Sequence, residues 1–103
     1  MPSIADLERL LAADPKDAFL LYGMAQEHAR AGRGSEALGW YDRCLAADPG
    51  YCYAYFHKAR TLQALGRVPD AIATLKAGAV AARRAGDGHA ASEIAAYLDE
   101  LSP

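Results

Sequence analysis

The chain has 103 residues, of which 52% are hydrophobic and 23% charged, with a net charge of −2 at neutral pH. That is enough chain to bury a core without disulfides or a structural metal, in one ordinary globular domain spanning 1–103. A pI near 5.8 argues against a nucleic-acid-binding domain, and no run approaches the roughly 18 apolar residues of a membrane span.

Twenty-four alanines favour helices, because Ala has the highest helix propensity and lets helices approach closely. Residues 3–13 read as a first helix, with Ser3 as its cap and Ile4, Leu7, Leu10 and Leu11 on one face, stopped by Asp14-Pro15. Asp17 caps a second helix over 18–31 that ends at Gly32, and Ser35 is placed to cap a third over 36–47 that ends at Asp48-Pro49. A fourth runs from about 51 to 65 and stops at Gly66. Pro69, suited to a first turn whose N–H has no helical partner, opens a fifth over 70–84. Gly86-Asp87-Gly88 breaks the chain, and a sixth helix over 89–101 carries Ile94, Leu98 and Leu101 on one stripe, with Glu93, Asp99 and Glu100 away from it. The connections are short, so successive helices run antiparallel.

The pattern repeats at a spacing of 34. Leu10-Leu11-Ala12-Ala13-Asp14-Pro15 returns as Cys44-Leu45-Ala46-Ala47-Asp48-Pro49, Gly32-Arg33 as Gly66-Arg67, and Ala25 and Ala37 as Ala59 and Ala71. A fixed period of this size marks a solenoid, whose units bury their apolar faces on one another. Such a fold offers a surface for binding.

These residues resemble the tetratricopeptide repeat family. Its pattern matches Leu21, Met24, Ala25, His28, Ala37, Tyr41 and Pro49 in one unit and Tyr55, Ala59, Leu62, Ala71 and Leu75 in the next, with departures at Lys58, where a large apolar residue is usual, and Arg83, where Pro is. The resemblance implies an all-α, right-handed α-solenoid of antiparallel helix pairs with about six helices. It divides the chain into an N-terminal half-repeat over 3–15, repeats over 18–49 and 52–84, and a capping helix over 89–101. It also implies a non-catalytic protein-interaction module.

On a helical wheel Ala18, Leu21, Met24, Ala25 and His28 share one sector, whereas Phe19, Tyr22, Gln26, Ala29 and Arg30 share another. The second sector recurs as Tyr53, Phe56, Arg60, Gln63 and Ala64. In families that this chain resembles, that sector lines the concave groove. Phe19, Tyr22, Gln26, Arg30, Tyr53, Phe56, His57, Arg60 and Gln63 are therefore the candidate peptide-binding residues. An aromatic stripe at helical spacing also suits packing between neighbouring helices, so the aromatics stand open between groove wall and seam. The polar members decide more, since a buried seam does not tolerate unpartnered polar groups.

Residues 18–33 and 52–67 hold one acid, Glu27, and five bases, Arg30, Arg33, Lys58, Arg60 and Arg67, for a net +4, while the remainder holds 12 acids and 6 bases. This asymmetry favours an acidic or carboxylate-bearing segment, and a solvated charged face is the plainer alternative. One subclass of the family clamps a terminal carboxylate with Lys, Asn and Arg. Here Tyr22, Gln26 and His57 stand at the matching positions, and Asp87 and Ala91 replace basic groups in the cap, so that clamp is not expected.

No two of His28, His57 and His89 lie four apart on a helix, so no zinc site is expected, and His28 reads as a packed, hydrogen-bonded core residue. Cys44 and Cys52 read as small buried hydrophobes in a reducing compartment, without a disulfide framework. Nothing near the start has the basic and apolar order of a leader. Cytoplasmic residence, no cofactor and no enzymatic activity are expected. Catalysis would need a hidden cluster such as His57 beside an acid. The competing role is self-association through the aromatic stripe, as a homodimer or as a fixed subunit of a larger assembly.

Overall fold

A computed structural model describes residues 2–103. Its six helices are α1 (Ile4–Ala13), α2 (Ala18–Arg30), α3 (Gly34–Ala47), α4 (Cys52–Ala64), α5 (Val68–Ala85) and α6 (Gly88–Leu101), with no strand among the described residues. The fold is an all-α solenoid. Each helix packs on its chain neighbours, and α2, α4 and α6 also touch one after another, whereas α1, α3 and α5 do not touch each other. The stack is therefore tighter on the side of the even-numbered helices and spreads on the other.

The helix starts follow from local chemistry. Ser3 and Asp6 form a capping box at α1, each accepting from the other's backbone N–H, and Asp17 accepts from the Leu20 N–H at 3.1 Å. Pro69 sits in the first turn of α5 as expected. Ser35, however, does not cap α3. That helix starts two residues earlier than expected, at Gly34, because Gly32 takes a left-handed φ of 80° and the Arg33 N–H closes on the His28 carbonyl at 2.9 Å. The same turn recurs 34 residues on, where Gly66 has φ 77° and the Arg67 N–H meets the Leu62 carbonyl at 2.8 Å. At α6 the cap is Asp87, whose carboxylate accepts from the Ala90 N–H at 3.0 Å.

Ala25, Ala37, Ala59 and Ala71 are all fully buried, the first two in one apolar cluster and the last two in another. Two apolar clusters form the core, one around Leu21, Met24 and Tyr41, the other around Leu62, Leu75 and Ile94. In α1 the buried residues are Leu7 and Leu11, while Leu10 is 51% exposed and faces away from α2. In α6 the buried stripe is Ala90, Ile94 and Tyr97, with Leu98 and Leu101 half-buried at its margin. Tyr97 displaces them because its ring can be buried while its hydroxyl reaches Gln63. His28 is buried and accepts a hydrogen bond from Arg33 Nε at 3.0 Å on Nδ1, and both cysteines are buried and free. Lys58, at a position where an apolar residue is usual, leans across to α3 and pairs with Asp42 at 2.7 Å.

Candidate functional site

The helix spacing puts the candidate residues in a row along α2 and α4, and α6 supplies the third wall. Tyr22 is half-buried, its ring centroid 4.9 Å from that of Tyr51, 5.8 Å from His57 and 6.2 Å from Tyr41. Phe56 is likewise half-buried, with centroids 5.3 Å from both His57 and Tyr97 and 6.5 Å from Tyr53. These rings pack between adjacent first helices and are half-buried there. Phe19 differs: it is 69% exposed.

The polar tail of the stripe is partnered unevenly. Gln26 accepts from the Tyr41 hydroxyl and donates Nε2 to the Tyr22 hydroxyl at 3.2 Å, which fixes its amide in place. Gln63 accepts from the Tyr97 hydroxyl. Tyr53 donates its hydroxyl to Glu93 of α6 at 3.4 Å. Of the five cations, Arg30 pairs with Glu27 at 3.4 Å, Lys58 with Asp42, Arg67 with Asp70 at 2.8 Å, and Arg33 is turned onto His28. Arg60 is exposed and, among the described residues, has no carboxylate within 4 Å. Asp42 and Asp70 thus offset two of the four net charges, leaving Arg33, bonded to the His28 ring, and Arg60, the one cation without a partner.

Arg60 stands on the ridge between two open recesses. One, of about 520 Å³, lies between α2 and α4, is walled by Gln26, Arg30, His57 and Arg60 over Tyr41 and Thr61, and contains no acid. The other, of about 430 Å³, lies between α4 and α6, with Phe56, Tyr97, Glu93 and Glu100 around it. Tyr41, Thr61, Tyr97, Glu93 and Glu100 were not among the expected site residues. Tyr41 belongs by sequence to the core pattern and Tyr97 lies outside the Ile94, Leu98 and Leu101 stripe, and only their hydroxyls, reaching two glutamines, disclose them.

Burial sets the protonation states. Desolvation, with Tyr51 beside it, pushes the Tyr22 phenol up to about 12, so it stays a hydrogen-bonding group. Burial, and then the Arg60 charge, lowers the His57 pKa and favours the neutral imidazole. The Cys44 thiol is pushed up to about 11 by burial and is a poor nucleophile. Among the described residues His57 has no acid within ion-pair distance, and no three His, Cys, Asp or Glu side chains gather as metal ligands. No helix among them is long and apolar enough to cross a membrane. The face is suited to stacking, hydrogen bonding and holding charge.

Residues 40–73, one period of the chain, match the tetratricopeptide repeat model. The solution structure of a tetratricopeptide repeat domain protein from Salinibacter ruber is 32% identical, aligns over 86% of this chain and 90% of that one, and superposes with a TM-score of 0.81. A TPR repeat-containing protein of Pseudomonas aeruginosa is 29% identical over 98 residues, which is 95% of this chain and 93% of that protein. The fold also matches PcrH, solved in complex with the chaperone-binding region of PopD, with a TM-score of 0.87 at 20% identity over 95% of this chain and 74% of that one.

Proposed function

Because this chain belongs to the tetratricopeptide repeat family, we propose that it is a non-catalytic module that binds an extended protein or peptide segment along α2, α4 and α6, with an acidic group of that segment on Arg60. We take 18–49 and 52–84 as its repeats, 3–15 as a half-repeat and 89–101 as a cap, and place it in the cytoplasm. The observation that carries the reading is the free Arg60 guanidinium above an acid-free recess in which Gln26 and Arg30 are already partnered. A free cation beside half-buried aromatic rings gives charge selectivity together with apolar contact area. The same fold holds a bound segment in the complex of PcrH with PopD, an analogy of architecture.

Selection of a random dodecapeptide display library on the immobilised protein tests this. Selected peptides bind the wild type, bind Arg60→Glu more weakly, and bind Tyr22→Ala more weakly still, while all three proteins keep their helical circular dichroism. Binding unaffected by both substitutions removes the site from this face.

The competing reading, self-association, is favoured by one observation: Phe19 lies 69% exposed at the start of α2, a large apolar side chain without cover. A dimer in sedimentation that becomes monomeric in Phe19→Glu establishes that reading, and a monomeric wild type removes it.

A further inference from the structure

The two recesses that meet at Arg60 differ in electrostatic character, and the difference specifies a partner more narrowly than an acidic segment. The α2–α4 recess has Arg60 and Arg30 at its rim and no carboxylate in its wall. Across the ridge, the α4–α6 recess has two carboxylates, Glu93 and Glu100, flanking the rings of Phe56 and Tyr97, which meet at 53° with centroids 5.3 Å apart. Glu100 has no cation within 4 Å among the described residues, and Arg60 pairs with neither acid although it borders both recesses.

We propose that the bound segment is bipolar, with an acidic side chain on Arg60 in the α2–α4 recess and a lysine or arginine side chain in the α4–α6 recess, over Phe56 and Tyr97 and between Glu93 and Glu100. This rests on the reading of the α2–α4–α6 face as a peptide site. An aromatic face attracts a cation through its quadrupole, and carboxylates at the rim add to that attraction. The same carboxylates repel an acid from this recess, while Arg60, with no carboxylate in the wall beside it, repels a base from the other. The charge order along the face therefore fixes the segment's register as well as its composition. A uniformly acidic segment would place like charge against Glu93 and Glu100.

The test compares dodecapeptide selections on the wild type, on Arg60→Glu and on the double variant Glu93→Gln, Glu100→Gln. These substitutions are on accessible side chains, and helical circular dichroism checks each protein. Wild-type winners carry an acid and a base in the same peptide. The base is lost from winners selected on the double variant, and the acid from winners selected on Arg60→Glu. A synthetic wild-type winner binds either variant about tenfold more weakly, the equivalent of one close charge contact. Winners with acids alone, or winners that keep their base on the double variant, overturn the bipolar assignment and leave the peptide site standing. No winners at all, or winners indifferent to Tyr22→Ala, overturn the peptide-site reading itself and the assignment with it.

Discussion

The α2–α3 pair and the α4–α5 pair are built on one period, yet at one equivalent position the first ties its candidate residue, Gln26, down and the second leaves Arg60 free. Thirty-four residues separate Tyr22 from Phe56, Gln26 from Arg60, Tyr41 from Leu75, Cys44 from Gly78 and Pro49 from Arg83. In the first pair Gln26 is held by the hydroxyls of Tyr22 and Tyr41. In the second, Phe56 and Leu75 offer no hydroxyl, so Arg60 has no intramolecular partner and projects at the ridge. Three exchanges on an unchanged backbone convert a structural tie into an available charge. Function in such a repeat is created as much by what the neighbours fail to satisfy as by the functional residue itself.

The pairs also differ in how their second helix ends, and this supports the largest expected effect. α3 has 14 residues and stops ahead of Pro49; α5 has 18, because Arg83 occupies the place of that proline and the helix runs on to a left-handed Gly86 with φ 68°. Restoring the period with Arg83→Pro puts a ring in a helix interior, which costs about 3 kcal/mol and frees the last turn, including buried Ala82. Urea melts followed by circular dichroism measure the loss, and a wild-type midpoint in the variant shows that something other than Arg83 sets the length of α5.

Next in size is the contrast between Cys44 and Gly78. Both are buried, but a Cβ on Gly78 would lie 2.7 Å from the Cβ of Tyr55, an atom fixed to the α4 backbone. Gly78→Ala is therefore overpacked by about 1–3 kcal/mol, against a gain of about 1 kcal/mol in helix propensity. The net expectation is a lower denaturation midpoint, falling further in Gly78→Leu. Cys44→Ala removes one atom from a comparable site and costs about 1 kcal/mol. A stabilised Gly78→Ala would mean that α4 and α5 can move apart, and the tight crossing would lose its significance. Smaller again is Tyr41→Phe, which takes the hydroxyl from Gln26 and costs about 0.5–1.5 kcal/mol by the same assay. Leu75→Ile, at the equivalent position, leaves Arg60 binding unchanged because Leu75 holds no polar group.

Most of the fold was legible because its signals are local and periodic. Ser3, Asp17, Pro69 and the glycines act within one turn of themselves, and the 34-residue period gives the helix pairing. Ser35 failed as a cap because the Gly32 turn, closed by a bond to the preceding helix, sets the start of α3 independently of any side chain. The site was less legible. Summing charge along α2 and α4 overstated the available positive charge, although one of the pairs that offset it, Arg67–Asp70, is an i, i+3 pair and visible in the sequence. Lys58–Asp42 joins two helices and is not visible. Tyr97 and Glu93 entered the site only because α6 packs beside α4, a juxtaposition that no spacing within α6 encodes.

The smallest effect separates the pairs by pH. The period that places His57 in α4 places Gly23 in α2, so only the second pair has an imidazole between the first helices. Burial and then Arg60 lower the His57 pKa, with Glu93 pulling weakly the other way and the rings of Tyr22 and Phe56 against it. The unfolded imidazole takes up its proton near its ordinary value of about 6.5, whereas the folded one resists until lower pH, so the unfolded state binds more protons in that interval. The contribution of His57 is fully present above about 6.5 and is lost as pH falls through that value towards the depressed one. Urea midpoints at about pH 7.5 and about pH 5.5 should therefore drop more in the wild type than in His57→Gln, which has nothing to protonate there. An equal drop in both would mean that the imidazole is as well solvated in the folded chain as in the unfolded one, and that the seam between α2 and α4 is open to water at its centre.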